Sequence, residues 1–185
     1  MNTKTLVALA VAGAIGSLAG TASSADIVYD NHAPVIDQRA TDGGVALIEG
    51  DDRLSVSKTT FKNNQATASD GWGGAFFIRS NHSSEIKQAV FEGNIAKQTG
   101  GAVAVSVHSG SNTVLTVTDT TFKNNHALDD GGAVGNFKNM IVSGSLFEGN
   151  TAQLTGTDWS TDNINQNNPI GGGAIALGSE SVTSI

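Results

Sequence analysis

The carboxylate side chains are the first candidates for chemistry in this chain of 185 residues. Acidic pairs stand at Asp51–Asp52 and Asp129–Asp130, and a single carboxylate stands at Asp70. A polysaccharide lyase or hydrolase needs carboxylates or a basic side chain that converge on one face. Because adjacent residues of a strand point to opposite faces, neither pair forms a ready-made catalytic dyad. The sequence therefore predicts a protein that is not an enzyme, and a polysaccharide-degrading enzyme is kept as an alternative.

The other ligand-forming side chains are equally scattered. The four histidines lack the spacing of metal ligands, and cysteine is absent, which excludes thiolate metal sites and disulfides; the histidines are His32, His82, His108 and His126. We therefore expect no metal and no cofactor. The formal net charge is −7 and basic residues form no cluster, so nucleic acid is excluded as a partner.

The N-terminal segment has the pattern of an export signal. Lys4 precedes an apolar stretch from Leu6 to Leu18, and small residues follow up to Ala25. A positive start, a short apolar middle and a small-residue exit are typical of a secretory signal peptide, although an uncleaved anchor is the alternative. We assign residues 1–25 to the signal peptide and residues 26–50 to an N-terminal leader or cap.

The remainder, residues 51–185, contains a two-part repeat. Its first half is Phe-x-x-Asn, at Phe61/Asn64, Phe91/Asn94, Phe122/Asn125 and Phe147/Asn150. Its second half is Gly-Gly-Ala, at Gly73-Gly74-Ala75, Gly100-Gly101-Ala102, Gly131-Gly132-Ala133 and Gly172-Gly173-Ala174. The copies recur at roughly 30 residues, a period typical of solenoids. Many of the 23 glycines thus mark repeated positions rather than flexible linkers.

The local pattern within each repeat predicts the fold. Short alternating segments rich in Val, Thr and Ser favour strands, and no mature segment has a sustained helical stripe. Two or three strands for each repeat describe one rung, or circuit, of a parallel β-helix. We therefore predict an all-β, right-handed parallel β-helix of about four to five rungs, preceded by the signal peptide.

Stacking of the rungs assigns a role to each repeated residue. Rungs lie about 4.8 Å apart, so equivalent side chains fall directly above one another. The phenylalanines should form an internal stack, and the asparagines a corner ladder of amide hydrogen bonds with a left-handed backbone. The glycine pair should allow a sharp corner, and the alanine should enter a narrow lumen. These residues are expected to be mainly structural.

Two tryptophans stand in the segments that lengthen the repeat. Trp72 precedes the first Gly-Gly-Ala copy, and Trp159 lies in a long polar insertion after Asn150. Exposed aromatic residues on loops can anchor a partner. Trp72 and Trp159 are therefore possible ligand contacts, with the equal alternative that each folds back over a corner.

The paired Phe-x-x-Asn and Gly-Gly-Ala copies resemble the polymorphic outer membrane protein repeat of chlamydial surface proteins and related autotransporters. The resemblance covers about residues 54–178. It implies an exported β-helical passenger at the outer membrane, at the cell surface or outside the cell. It also implies an adhesin-like role in which the repeat motifs take part and a host-cell surface protein or glycan is the partner.

One departure from that family concerns the C-terminal end. Its full-length members end in a membrane-embedded β-barrel, and no such segment is read here, so we expect an N-terminal fragment or an early-terminated product. Contact with the secretion machinery would use the signal peptide, and contact with the outer membrane would need the missing barrel. A passive structural spacer remains a third interpretation.

Overall fold

The computed structural model describes the repeat region most completely. Side chains are described for residues 43–106, 109, 112–153 and 173–178, and backbone alone for the short strands at residues 6–7, 26–30, 39–40 and 183–184. Within these residues all regular structure is β-strand. No helix of the described residues is long and apolar enough to span a membrane.

The strands follow one another around five rungs. The first rung has β2 (Asp26–Asp30), β3 (Arg39–Ala40) and β4 (Ala46–Gly50); the second has β5 (Arg53–Ser57), β6 (Thr60–Lys62), β7 (Gln65–Ala66) and β8 (Phe76–Ser80). The third has β9 (Ser84–Lys87), β10 (Val90–Glu92), β11 (Ile95–Ala96) and β12 (Val103–Val105). The fourth has β13 (Val114–Thr118), β14 (Thr121–Lys123), β15 (His126–Ala127) and β16 (Val134–Asn136). The fifth has β17 (Asn139–Ser143), β18 (Leu146–Glu148), β19 (Thr151–Ala152) and β20 (Ile175–Leu177), and β1 (Leu6–Val7) and β21 (Thr183–Ser184) flank the rungs.

Equivalent strands of successive rungs form four parallel sheets. The first sheet has the order β1-β2-β5-β9-β13-β17-β21, the second β6-β10-β14-β18, the third β3-β7-β11-β15-β19 and the fourth β4-β8-β12-β16-β20. Every pairing is parallel and in register, so that Phe91 pairs with Phe61 on one side and Phe122 on the other. The prediction of a parallel β-helix of four to five rungs is confirmed. Each complete rung has four strands rather than the two or three expected, because the two-residue strands of the third sheet are too short to show a period in the sequence.

Residues 26–50, which the sequence set apart as a leader or cap, stack on the repeats. Strand β2 pairs with β5, β3 with β7 and β4 with β8, each in register. The glycine pair Gly43-Gly44 occupies the same corner as the later pairs, since the Gly43 and Gly44 amides donate to the carbonyls of Trp72 and Gly73. This segment thus contributes strands to the first rung. Most of residues 1–25 lie outside the described residues, and the signal peptide stays a prediction.

Left-handed residues turn the chain at three corners of the second, third and fourth rungs. A left-handed backbone costs an ordinary residue energy, so a corner of this kind favours Gly, Asn and Asp. The left-handed residues between the first and second sheets are Lys58, Gln88, Asp119 and Gly144; those between the second and third are Asn63, Gly93, Asn124 and Gly149; and those between the third and fourth are Gly43, Gly73, Gly100 and Gly131. The repeated asparagines were expected to be left-handed, and this was wrong: the residue before each of them turns the chain.

The core is a narrow column of side chains enclosed by the four sheets. Inward-facing residues repeat at equivalent positions, as Val56, Ile86 and Val117 do on the first sheet, and all three are essentially inaccessible to solvent. The third sheet contributes only alanine to this column, at Ala66, Ala96 and Ala127, and the fourth adds larger aliphatic residues. The small alanine side chains leave space for the phenylalanine stack of the second sheet.

Candidate functional site

The repeated phenylalanines form a continuous stack inside the solenoid. Successive ring centroids of Phe61, Phe91, Phe122 and Phe147 lie 4.9, 4.9 and 4.8 Å apart, with interplanar angles of 17°, 7° and 5°. The first three rings have no exposed surface, and the fourth is partly buried. The spacing of the rings equals that of the rungs, so each ring packs against the next without a change of side-chain rotamer. These rings are enclosed by their own rungs.

The repeated asparagines form a hydrogen-bonded ladder beside the rings. Asn94 Oδ1 accepts from both the backbone N and the Nδ2 of Asn64, at 3.0 and 2.7 Å. Asn94 Nδ2 in turn donates to Asn125 Oδ1 at 2.8 Å and to the Phe61 carbonyl at 3.1 Å. The same pattern continues from Asn125 to Asn150. Each amide joins two rungs, which explains why a buried polar residue recurs at this corner.

The Gly-Gly-Ala copies occupy the corner before the fourth sheet. The first glycine of each described pair is left-handed, as Gly100 is with φ of 69°. The second glycine packs against backbone, because a Cβ on Gly101 would lie 2.6 Å from the His126 nitrogen and closer still to the Gly132 carbonyl oxygen. The alanines Ala75, Ala102 and Ala133 are fully buried.

The described motif residues therefore face the interior wherever another rung covers them. The fifth-rung copy is less covered, since Asn150 and Ala174 are partly buried and Gly173 is exposed, while Gly172 lies outside the described residues. The contacts of each interior residue with neighbouring rungs are enough to give it a role in folding. The part in adhesion that the family resemblance implies for these residues stays a prediction.

The second sheet has an alternation that the sequence analysis missed. The charged outward residue of this sheet alternates in sign from rung to rung: Lys62, Glu92, Lys123 and Glu148. One ion pair joins Lys62 Nζ to Glu92 Oε2 at 3.1 Å, and a second joins Lys123 Nζ to Glu148 Oε2 at 3.5 Å. The next residue alternates as well: the side chain of Asn63 covers Gly93, where a Cβ would lie 2.8 Å from Asn63 Oδ1. The alternating Phe-Lys-Asn and Phe-Glu-Gly sequences could have revealed this two-rung unit.

Trp72 packs over the outer face of the fourth sheet. Its ring lies 5.3 Å from that of Phe77 and 5.5 Å from that of Phe137, which belongs to the fourth rung. Phe77, Ala104 and Gly135 are register partners in the second, third and fourth rungs and form one outward row of the fourth sheet. Ala104 has no exposed surface, and the methyl group of Thr99 covers Gly135. Trp72 is itself only partly buried. A role of Trp72 as a ligand contact stays a prediction beside this packing, and Trp159 lies outside the described residues.

The acidic and histidine candidates form no catalytic cluster in the described part of the chain. Asp51 Oδ1 accepts from Asn81 Nδ2 at 3.2 Å and lies 3.9 Å from His82 Nε2, and Asp70 is exposed. Burial, and then the neighbouring Asp130 carboxylate, raises the pKa of Asp129. Among the described residues no group of three or more His, Asp or Glu side chains could hold a metal ion.

Comparison with known proteins identifies the class of repeat. The model of the Chlamydia polymorphic membrane protein repeat matches residues 58–79 and 119–136, which are the two rungs of the Phe-Lys-Asn type. Residues 58–79 and 119–136 thus match this repeat within a parallel β-helix, and the resemblance inferred from the sequence is confirmed.

A particular relative is the "Probable autotransporter YfaL" of Escherichia coli (strain K12). The two sequences are 33% identical over 121 residues, which cover 61% of this chain and 10% of the relative. The chain thus matches about a tenth of that relative's length. No solved structure gives a significant match. The repeat type and the relative indicate a surface-exposed passenger at the outer membrane or cell surface.

Proposed function

We propose that this chain is a surface-displayed passenger segment with an adhesin-like binding role and no catalytic activity. The observation that carries the proposal is the division between the inside and the outside of the solenoid. The phenylalanine rings, the ladder amides and the glycine corners all make contacts between rungs; Phe91 stacks on Phe61, for example, and Asn94 donates a hydrogen bond to Asn125. The outward positions of the first and second sheets are polar or charged in most rungs and differ from one rung to the next. A rigid rod with such faces can present a partner site at fixed positions.

The similarity to an autotransporter segment supports display at the cell surface. In this proposal the segment before residue 26 directs export, and the partner is a protein or glycan on a host cell. The enzyme alternative requires carboxylates that converge in a groove, and the pairs Asp51–Asp52 and Asp129–Asp130 stand at separate corners. The spacer alternative requires that the faces bind no partner, which an adhesion measurement distinguishes directly.

Cell adhesion is the direct test. The chain would be displayed on a non-adherent bacterium through a heterologous autotransporter barrel, and bacteria bound to cultured epithelial cells would be counted against the empty scaffold. We expect the displayed chain to raise the bound number severalfold. Equal binding by the chain and the empty scaffold, with display verified by antibody, would contradict the adhesin role and favour the spacer.

The two tryptophans allow a sharper version of the same experiment. Trp72→Ala should lower the melting temperature, because Trp72 packs against Phe77 and Phe137. Trp159→Ala provides a comparison at the other tryptophan-bearing insertion. Reduced adhesion at an unchanged melting temperature would make either tryptophan a contact residue. A lower melting temperature with unchanged adhesion would instead give that tryptophan a covering role.

A further inference from the structure

A polar groove of about 720 Å³ lies on the outer face of the first sheet, and nothing above assigns it a role. It crosses the second, third and fourth rungs. Its outward side chains include Arg53, Ser55, Asn81, His82, Glu85 and Thr116. Leu54 and Ser84, which also line it, have buried side chains, so the floor at these points is peptide backbone. This volume lies within the range of small-ligand sites in proteins.

The side chains of the groove have unused hydrogen-bonding capacity. Within the described residues, Arg53, Glu85 and Thr116 make no side-chain hydrogen bond or ion pair with the protein, and Arg53 and Glu85 are exposed. The second sheet differs, because its outward Lys and Glu side chains pair with one another across rungs. The groove is therefore an outward surface where polar groups of both kinds remain available to a ligand.

The chemistry of these groups selects the ligand. A guanidinium donates, a carboxylate accepts, and amide and hydroxyl groups do both. Arg53 and Glu85 balance in charge, and Asp51 lies beside His82, so the described lining has no cluster of cations for a sulfated, sialylated or phosphorylated ligand. Among these described lining residues there is also no outward apolar side chain that could anchor a peptide. Sugar hydroxyl groups, which both donate and accept, match this mixed and nearly neutral set.

We propose that this groove binds a neutral oligosaccharide that runs across the rungs. Polar positions recur from rung to rung about 4.8 Å apart, so a sugar chain that crosses the rungs meets donors and acceptors repeatedly. Arg53 and Glu85 are the residues that hold its hydroxyl groups. The inference rests on the proposed adhesin role, because display at the surface is what presents the groove to glycans. An open polar site of this kind binds a single chain weakly, and many copies on one cell supply avidity.

The test uses the purified full chain and defined probes. Binding of chitotetraose, maltotetraose and lacto-N-tetraose, with a sulfated heparin tetrasaccharide as the charged comparison, would be measured by saturation-transfer NMR and calorimetry. We expect at least one neutral probe to bind. Arg53→Ala and Glu85→Ala should each weaken its binding by roughly tenfold, since each removes a charge-assisted hydrogen bond. Lys62→Ala is the matched control, because it removes an exposed charge from the adjacent sheet.

The outcomes separate this inference from the adhesin proposal. Neutral-probe binding that is lost in both groove variants, unchanged in Lys62→Ala and accompanied by equal melting temperatures would support the groove site. Absence of binding to every neutral probe, binding of the sulfated probe alone, or wild-type affinity in Arg53→Ala and Glu85→Ala would overturn it. Adhesion that survives Arg53→Ala and an excess of free oligosaccharide would contradict the groove site while leaving the adhesin role intact.

Discussion

The second glycine of a Gly-Gly-Ala copy meets a stringent steric requirement where another rung covers it, as at Gly74, Gly101 and Gly132. In Gly101→Ala, the new Cβ would lie 2.6 Å from the backbone nitrogen of His126, whereas ordinary contact begins at 3.4 Å. It would lie closer still to the carbonyl oxygen of Gly132. Both neighbours are backbone atoms, so no side chain can rotate away. The third and fourth rungs must separate at this corner by more than 0.8 Å, the difference between 3.4 and 2.6 Å, because the Gly132 oxygen is nearer still.

The energetic cost follows from that separation. Overpacking of a filled site costs about 1–3 kcal/mol. The corner also carries hydrogen bonds from the Gly101 amide to the Gly131 carbonyl at 3.0 Å and from the Ala102 amide to the Ala133 carbonyl at 2.9 Å. Each contributes about 1 kcal/mol net, so their weakening brings the total to roughly 3–5 kcal/mol. In a chain of this size that corresponds to a fall in melting temperature of roughly 6–20 °C.

Thermal and urea unfolding followed by circular dichroism would measure this loss. The matched control is Gly173→Ala, the same motif position in the fifth rung, where the nearest neighbour of an added Cβ is the Asn150 carbonyl oxygen at an ordinary 3.5 Å. We expect the control to unfold within about 0.5 kcal/mol of the wild type, as substitutions without such features do. Equal stability of Gly101→Ala and Gly173→Ala would refute the argument that backbone contact between rungs excludes a side chain there.

Three further substitutions examine the polar groups of the solenoid. Asn94→Ala should lower the free energy of unfolding by about 2–4 kcal/mol in urea titrations, because it removes the hydrogen bonds that the Asn94 side chain makes to Asn64, Asn125 and the Phe61 carbonyl; a loss below 0.5 kcal/mol would contradict the ladder. Ser84→Ala should raise it by about 1 kcal/mol, since the buried Ser84 hydroxyl has no hydrogen-bond partner; a clear loss would show that the hydroxyl is satisfied. Asp129→Asn should stabilise the chain at pH 7. Because the pKa of the Asp129 carboxyl is raised in the folded state, the wild type loses stability as pH rises from below the ordinary pKa of 3.8 through the folded-state pKa. The stability advantage of the variant should vanish in acid, and a gain that is independent of pH would contradict this reasoning.

The parts of the fold that could be predicted from the sequence are those that recur in every rung. In-register stacking places Phe61, Phe91 and Phe122 in identical surroundings, so one residue type satisfies each rung and appears as a repeat. The asparagine ladder is predictable for the same reason, because each asparagine amide donates to the asparagine of the next rung and accepts from that of the previous rung. The alanine after each glycine pair likewise meets the same narrow interior each time.

Other features depend on contacts that leave no period. Trp72 packs over the fourth sheet, where its ring centroid lies 5.5 Å from that of Phe137, two rungs further along the solenoid. No local sequence pattern connects these two residues. The left-handed residue before each ladder asparagine alternates between asparagine and glycine, as in Asn63, Gly93 and Asn124, so a comparison of single rungs does not reveal it. The groove around Arg53 arises from side chains of three rungs and could not be found from any one of them.

The repeat that makes the chain recognisable and the surface that would bind a partner are therefore different sets of residues. A residue type recurs in every rung where the equivalent residues of the rungs above and below are alike. Such positions lie inside the solenoid or at its corners. Outward residues face solvent, so stacking does not fix their type, and they are free to differ, as Ser55 and Ser57 do from Glu85 and Lys87, their register partners in the next rung. Similarity to polymorphic membrane protein repeats consequently establishes the scaffold. Partner identity has to be sought in outward residues that the repeat does not specify, and the groove of the first sheet is one surface where such residues leave hydrogen-bonding groups unused.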